Sequence, residues 1–284
     1  MSCQPIQSYL MEQRVDYIAR YEPSVKAFVD GTFDSDRVLD AIVQSDERLP
    51  LKGLLLGVKD IINVDQFPTR CGSVLPARLF NGPQASCATR LFKAGAVMVG
   101  KTVTAEFAVS DPGPTRNPRN LNHTPGGSSS GSAAAVAAGF CDIALGTQTS
   151  GSVIRPAGYC GTFGYKPSFG RVALDGVLPY SKSMDHIGLF AKDMPTMAAT
   201  LPILVTDWRN TKDSLANKPI IGVPMGSYID LAMPHVSAQF EMIISAIKQM
   251  DAIVKPIILC DDIASHNYTH DLIANAELYQ THKS

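Results

Sequence analysis

The fold of this chain is decided by residues 124–152, which read TPGGSSSGSAAAVAAGFCDIALGTQTSGS. A Gly/Ser cluster lies at each end of this stretch, and a run of small residues and a short apolar run lie between them. The small residues predict a closely packed helix, and the apolar run predicts a buried strand. The stretch therefore predicts a helix–strand unit flanked by loops rich in hydroxyls and backbone N–H groups.

Two serines in this stretch are candidates for catalysis together with an upstream lysine. Ser128 and Ser152 are 152 − 128 = 24 positions apart, and Lys59 lies 128 − 59 = 69 positions before Ser128, at the end of an apolar run. A serine is a poor nucleophile until a base removes its proton, and a desolvated lysine can be that base. The three residues indicate nucleophilic catalysis without histidine.

The composition is that of a compact globular enzyme. The chain has 284 residues, of which 45% are hydrophobic, and its formal net charge is −1. That length and apolar content suffice for one large core or two smaller ones. No global field attracts a nucleic acid, and a single Trp disfavours a base-stacking surface. We therefore expect no direct nucleic-acid partner.

The termini and cysteines favour a cytoplasmic protein without a membrane segment. The first residues lack a basic start followed by an apolar run, so they predict no secretory signal. No window approaches the roughly 20 apolar residues of a membrane span. Six cysteines without regular spacing predict reduced, mostly buried thiols. Cys160 is a conceivable nucleophile, but a small core residue is the favoured interpretation because no histidine is paired with it.

Helical and buried-strand patterns alternate along the first 200 residues. Continuous apolar runs at 54–59 and 96–99 predict strands covered on both faces. Helices are predicted at 88–94 and 132–138, followed by a strand at 143–145. This alternation predicts an α/β class, with α/β/α layers around a mixed β-sheet. Residues 4–46 predict further helices, broken by a turn near Glu22 and Pro23.

The tail from about residue 193 has a different pattern. We predict helices at 193–205 and around 236–250, strands at 219–223 and 252–258, and a polar helical end at 268–284. No clear closing element follows, so we expect the fold to be incomplete at its C-terminus. The chain is interpreted as a single domain over 1–284, with a catalytic core at 20–200 and a partial extension at 201–284.

The Gly/Ser loop at 126–130 has two other interpretations. A flexible linker is disfavoured, because a helix and a strand follow the loop at once. A phosphate cradle at a helix N-terminus is also disfavoured, because neither the GK[ST] ending of a P-loop nor a GxGxxG motif occurs. The long Pro-, Gly- and Asn-rich segment at 110–127 favours a functional loop.

Three segments together carry a family resemblance. GVKD at 57–60, GGSSSGSAAAVAAG at 126–139 and GTQTSGSVIRPAGYCGTFGYKPS at 146–168 resemble the amidase signature family. The spacing of Lys59, Ser128 and Ser152 matches that family's Lys–Ser–Ser triad. The VIRPA ending is similar to malonamidase-like members rather than to the commoner IRQPA form.

The resemblance implies a role for each matching residue. Ser152 would be the acyl-forming nucleophile, and Ser128, on a cis peptide bond, would relay protons. Lys59 would be the base in its neutral form, which burial favours. The oxyanion hole would consist of backbone N–H groups, those of Thr149, Ser150, Gly151 and Ser152.

The resemblance leaves the role of Arg155 open. Its guanidinium, three residues after Ser152, would hold a substrate carboxylate, or it would pair with a buried structural acid. Gln148 and Ser150 replace the Asp and the first Gly of the commoner TDxGGS form. Because Ser tolerates positive φ poorly, we expect a local difference in the oxyanion loop. Asp185 matches a family acid and is interpreted as structural.

One other group of residues resembles a site weakly. His266 and His270 are four positions apart, with Asp261 and Asp262 nearby, but the Glu of HExxH is absent. A solvated helix is the favoured interpretation, so the sequence predicts no metal site.

The resemblance implies an amidase that hydrolyses a small carboxamide to a carboxylate and ammonia, with no organic cofactor. Two alternatives are open. The chain is the amidase component (the A subunit) of a glutamine-dependent tRNA amidotransferase, which needs partner subunits, or it is an inactive fragment of an amidase. The expected partner is a small amide substrate, no membrane is expected, and the resemblance is compatible with a homodimer.

Overall fold

A computed structural model describes residues 4–209 and 218–283. The chain divides into two compact units, one containing the residues up to Arg209 and those from Glu277 onward, the other ending at Ala276. Among the described helices, none is long and apolar enough to cross a membrane. The single-domain organisation predicted above stays a prediction.

Within residues 4–209, the first unit contains six helices, five strands and two 3-10 turns. The helices are α1 Gln4–Val25, α2 Ser35–Val43, α3 Ser86–Lys93, α4 Ser130–Ala137, α5 Ile154–Cys160 and α6 Met194–Leu204. The strands are β1 Leu55–Lys59, β2 Val97–Thr102, β3 Ile143–Gln148, β4 Phe163–Tyr165 and β5 His186–Ala191. The 3-10 turns are Ala77–Phe80 and Glu106–Ala108.

The five strands form one mixed sheet in the order β2-β1-β3-β5-β4. β1 is parallel to both β2 and β3, whereas β5 is antiparallel to β3 and to β4. One face of the sheet packs on α3 and α6, and the other packs on α1, α2, α4 and α5. Neighbouring residues of β1 divide between the two faces, with Leu56 on one and Leu55 on the other. The predicted α/β class and mixed sheet are confirmed.

Helix α4 lies unusually close to the sheet because its buried residues are small. A Cβ added at Gly131 would lie 2.2 Å from the Ala27 carbonyl oxygen and 2.3 Å from the Val103 nitrogen. No side chain fits at such distances, so the position requires glycine for close approach. This packing holds the N-terminal end of α4, and the Gly/Ser loop before it, against the ends of the strands.

The predicted turn near Glu22 and Pro23 is wrong, because α1 continues to Val25. The Glu22 side chain accepts hydrogen bonds from the N–H groups of Ala27 and Phe28, just beyond the helix. These bonds satisfy donors that follow the helix end, and Pro23 lies within the last turn.

The second unit contains a parallel strand pair within residues 218–276. β6 Ile220–Pro224 pairs with β7 Ile253–Ile257, and α7 Pro234–Gln249 lies between them in the sequence. A 3-10 turn spans Gly226–Tyr228. α8 Ile263–His282 begins in this unit, and its last residues belong to the first.

Candidate active site

The candidate site lies where the carboxyl ends of three strands meet. Lys59 ends β1, Thr102 ends β2 and Gln148 ends β3. Because β1 is parallel to both neighbours, these ends lie at one edge of the sheet. Ligand sites of open α/β sheets are built at such an edge.

Lys59 is completely buried and has two hydroxyl partners. Its Nζ lies 2.8 Å from the Ser128 Oγ and 2.8 Å from the Thr147 Oγ1. Burial lowers the pKa of Lys59 from 10.5 to about 7, and the Asp185 carboxylate opposes this change. A large fraction of the lysine is therefore neutral near pH 7, and its lone pair can accept a proton from a hydroxyl.

Ser128 lies at the turn that precedes α4 and is fully buried. The peptide bond between Gly127 and Ser128 is cis. The next residue, Ser129, connects this turn to the end of β3, because its Oγ donates to the Thr147 carbonyl at 3.1 Å. The turn that carries Ser128 is thus fixed directly beside the strand that carries Thr147.

Ser152 lies just before α5 and is 7% exposed. The N–H of Ser129 donates to the Ser152 carbonyl oxygen at 3.3 Å. This backbone contact makes the two serine-bearing loops immediate neighbours. The fold therefore brings the segments that carry Lys59, Ser128 and Ser152 together.

The loop between β3 and α5 presents backbone N–H groups that have no protein acceptor. Within residues 4–209 and 218–283, the N–H groups of Ser150, Gly151 and Ser152 donate to no protein group. The N–H groups of Val153 and Ile154 donate instead to the Gln148 side chain. Ser150 is not among the described residues with positive φ, so the loop does not adopt a left-handed conformation at this position. The loop can thus offer donors to an oxyanion.

Arg155 lies in the first turn of α5 and is exposed. Its Nε and Nη2 donate to the Gly127 carbonyl oxygen at 3.1 and 2.8 Å. The guanidinium thus spans from the helix after Ser152 to the peptide unit before Ser128. Its described partner is a carbonyl and not a buried acid.

Asp185 supports the oxyanion loop from the neighbouring segment. Its Oδ1 accepts a hydrogen bond from the Thr149 hydroxyl at 2.5 Å, and its Oδ2 accepts from the N–H groups of Tyr180 and Ser181. Burial raises the pKa of Asp185, whereas these hydrogen bonds favour the ionised form. Hydrogen bonds of Asp185 therefore connect the loop at residue 149 to the segment at 180–185.

Sequence reasoning missed Thr147, the second partner of the Lys59 amine. Thr147 is 5% exposed and lies in a strand that is otherwise apolar up to Gln148. A neutral amine has two N–H donors and one lone pair, so a donor bond to Thr147 leaves the lone pair available to Ser128. The available signal was a hydroxyl in a buried strand, at the first position of the TQTSGS motif.

Sequence reasoning also missed a second buried lysine. The Nζ of Lys101 lies 3.1 Å from the Asp60 Oδ1, and both side chains are completely buried. Lys101 also donates to the Thr69 hydroxyl at 2.9 Å. Asp60 directly follows Lys59 in the sequence, but its carboxylate contacts Lys101.

Two weaker candidates, a cysteine and a pair of histidines, gain no support from their surroundings. Burial raises the pKa of the Cys160 thiol to about 12, so this cysteine is not a thiolate at neutral pH. His266 and His270 lie on α8 in the second unit. Within the described ranges, no group of three or more His, Cys, Asp or Glu residues is arranged to hold a metal ion.

Comparison with protein families gives a match along almost the whole chain. The family model described as Amidase matches residues 10–280. Curated relatives are named as the A subunit of glutamyl-tRNA(Gln) amidotransferase. The protein of that name from Synechococcus sp. (strain RCC307) is 37% identical over 252 residues, which cover 80% of this chain and 52% of the relative. The one from Salinibacter ruber is 40% identical, covering 72% and 41%.

Solved structures give the same result. A crystal structure described as an amidase has a TM-score of 0.82 and 29% identity, covering 96% of this chain and 64% of the other. The A subunit of the Thermotoga maritima glutamyl-tRNA(Gln) amidotransferase has a TM-score of 0.80 and 31% identity, covering 94% and 62%. The native peptide amidase from Stenotrophomonas maltophilia has a TM-score of 0.80 and 27% identity, covering 98% and 65%. The chain spans about half the length of the curated relatives that it matches.

Proposed function

The chain belongs to the amidase family, and from this premise we propose that it cleaves the C–N bond of a carboxamide through an acyl-enzyme on Ser152. The observation that carries the proposal is the buried contact of 2.8 Å between the Lys59 Nζ and the Ser128 Oγ. A base with a pKa of about 7 is well matched to proton transfer at neutral pH.

In the proposed mechanism, the Ser152 Oγ attacks the amide carbon and loses its proton through Ser128 to Lys59. The carbonyl oxygen becomes an oxyanion, which the N–H groups of the 149–152 loop stabilise. Ser128 then passes the proton to the leaving nitrogen, so the C–N bond breaks and ammonia departs. Water attacks the acyl-enzyme by the same proton route, which releases the carboxylate and restores Ser152.

The substrate that we propose is the side-chain amide of glutamine. Support comes from the relatives named as the A subunit of a glutamyl-tRNA(Gln) amidotransferase, one of which matches 80% of this chain. In this proposal the chain supplies ammonia inside an assembly with other subunits, and a tRNA is a partner of that assembly. This proposal replaces the expectation of no nucleic-acid partner. We place the protein in the cytoplasm and assign it no cofactor.

A free-standing hydrolase of small amides is the second candidate. Arg155 supports it, because two donors hold the Gly127 carbonyl while the guanidinium has five N–H donors in all. The remaining donors are available to a substrate carboxylate, as in a malonamate-like amide. In this case the substrate is a small molecule, the partner is a second copy of the chain, and Arg155→Lys raises KM for acidic amides while sparing neutral ones.

The first experiment is to treat the folded chain with a serine-directed fluorophosphonate and to locate the adduct by intact mass and peptide mapping. A single adduct on Ser152, lost in Ser152→Ala, is expected. The matched control is Ser168→Ala, which removes an exposed hydroxyl outside the triad and keeps the adduct. A folded chain that forms no adduct contradicts the proposal and favours the inactive-fragment interpretation.

The second experiment separates the two candidates by measuring ammonia release. Release from glutamine that depends on added partner subunits of an amidotransferase supports the role within that assembly. Release from malonamate by the isolated chain, with no response to those subunits, supports the small-amide hydrolase instead.

A further inference from the structure

The two departures from the commoner oxyanion motif contact each other. Gln148 stands where the commoner form has Asp, and Ser150 stands where it has Gly. The Gln148 Nε2 donates to the Ser150 carbonyl oxygen at 2.8 Å. Its Oε1 accepts from the N–H groups of Val153 at 2.9 Å and Ile154 at 3.0 Å. One side-chain amide therefore binds the loop on both sides of Ser152.

Only an amide can make this set of contacts without a change of protonation. A glutamine side chain has both donors and acceptor lone pairs, whereas an ionised carboxylate can only accept. Gln148 is 3% exposed, so water does not readily replace a lost partner. A carboxylate at this position would keep the Val153 and Ile154 contacts but would face the Ser150 carbonyl without a donor.

The contact with Ser150 fixes the direction of the next N–H group. The peptide unit between Ser150 and Gly151 is planar and trans, so its C=O and N–H point in opposite directions. Because Gln148 holds the Ser150 carbonyl on its own side, the Gly151 N–H points away from Gln148. That N–H has no acceptor among the described residues, whereas those of Val153 and Ile154 are occupied by Gln148.

We infer that Gln148 is a positioning residue that aims the Gly151 N–H at the oxyanion formed during attack by Ser152. The inference rests on the proposed function. Gln148 does not touch the substrate; it acts through the Ser150–Gly151 peptide. The titratable groups that contact residues 147–149 are His186, whose Nδ1 lies 3.3 Å from the Gln148 carbonyl oxygen, Asp185, which binds Thr149, and Lys59, which binds Thr147.

The test uses Gln148→Glu and follows the rate of fluorophosphonate labelling of Ser152 between pH 8 and pH 5. At pH 8 the carboxylate repels the Ser150 carbonyl, and labelling falls by about 10²-fold, the typical cost of losing one oxyanion donor. As the pH falls, the carboxyl gains a proton that it can donate to Ser150. The ratio of variant to wild-type rates therefore rises toward one. The new carboxylate also raises the pKa of Lys59 in the variant, but a rise of one unit lowers the ratio by at most about tenfold, well short of the expected 10²-fold loss.

A matched control is available elsewhere in the first unit. The Gln84 side chain also donates and accepts, binding the Thr89 hydroxyl at 2.8 Å and the Asp65 N–H at 3.1 Å. In Gln84→Glu we expect a labelling ratio near one at every pH. This control excludes a general effect of replacing a loop glutamine by an acid.

Other outcomes overturn the inference in distinguishable ways. A wild-type chain that is not labelled removes the proposed function together with the inference. Wild-type labelling with a Gln148→Glu ratio near one at all pH values removes the inference alone, and so does a low ratio that does not change with pH. If Gln148→Glu does not fold, Gln148→Met serves instead. It is expected to slow labelling and to speed hydrogen exchange at 150–154, and unchanged labelling contradicts the inference.

Discussion

The ends of β1 and β2 carry two buried lysines that have different partners. Lys59 ends β1, and Lys101 lies opposite its neighbour Val58 in the parallel register. Both side chains are completely buried. Burial lowers the pKa of both lysines, because the charged ammonium loses its hydration. Burial therefore disfavours the charged form of both lysines in the same way.

The two lysines differ in the groups that surround their amines. Lys101 has a carboxylate, Asp60, 3.1 Å away, which favours its charged form. The two described hydrogen-bond partners of Lys59 are hydroxyls, and neither carries a negative charge. Asp60 follows Lys59 directly in the sequence yet contacts Lys101. Equal burial thus yields an ion pair at one strand end and an amine with a pKa of about 7 at the other.

The largest effect is expected for Lys59→Met. Loss of the base slows labelling of Ser152 by about 10⁴-fold, the upper range for general-base catalysis. We expect the variant to remain folded. Because its pKa falls from 10.5 in the unfolded chain to about 7, unfolded chains bind more protons between these pH values. Wild-type stability therefore rises from pH 7 to pH 10, and the variant lacks this rise.

Urea unfolding at pH 7 and pH 10, together with the labelling rate, checks both parts of this expectation. A variant that is less stable than wild type and loses the Ser152 adduct only because it unfolds would show that Lys59 is structural. The contrast between the two lysines would then fail.

The next largest effect is expected for Lys101→Met, and it concerns stability. The variant leaves Asp60 buried without its cation, which typically costs about 3–5 kcal/mol. The labelling rate of the folded fraction changes far less than in Lys59→Met. Adding Asp60→Asn removes the unpaired charge and recovers part of the free energy of unfolding, measured by urea denaturation. No recovery in the double variant would contradict the ion-pair role.

The smallest effect is expected for Asp185→Asn, in the pH dependence of labelling. Labelling requires neutral Lys59, so its rate rises with pH through the lysine pKa of about 7. The Asp185 charge opposes the lowering of that pKa, so its removal shifts the midpoint to lower pH, by less than about one unit. Asp175→Asn alters an acid that binds Ser86 and leaves the midpoint in place. A shift to higher pH would contradict this electrostatic role.

Much of the site could be predicted because its residues lie in local motifs. The apolar run before Lys59 gives β1, and the Gly/Ser clusters give the turns that carry Ser128 and Ser152. The identity of Thr147 as a lysine partner could not be predicted, since the contact joins two strands 88 residues apart. The ion pair of Asp60 and Lys101 was missed for the same reason, because it depends on strand register.

The short elements β4 and β5 escaped prediction for a different reason. β4 has only three residues, and β5 follows a long irregular segment. Their pairing with each other and with β3 is defined by the sheet and not by local sequence. The turn expected at Pro23 failed because a proline in the last turn ends a helix less sharply than the pattern suggests.

Because β1 pairs with β3, which follows it in the sequence, the site can be completed only after β3 has been synthesised. Lys59 leaves the ribosome 88 residues ahead of Thr147, and at about 5–20 residues per second this interval is roughly 4 to 18 s. During that interval the amine is still hydrated and charged, as in a free lysine. Its pKa falls only when β3 docks beside β1 and excludes water. In the proposed mechanism, a nascent chain therefore acquires its nucleophile and the group that activates it in the same folding event.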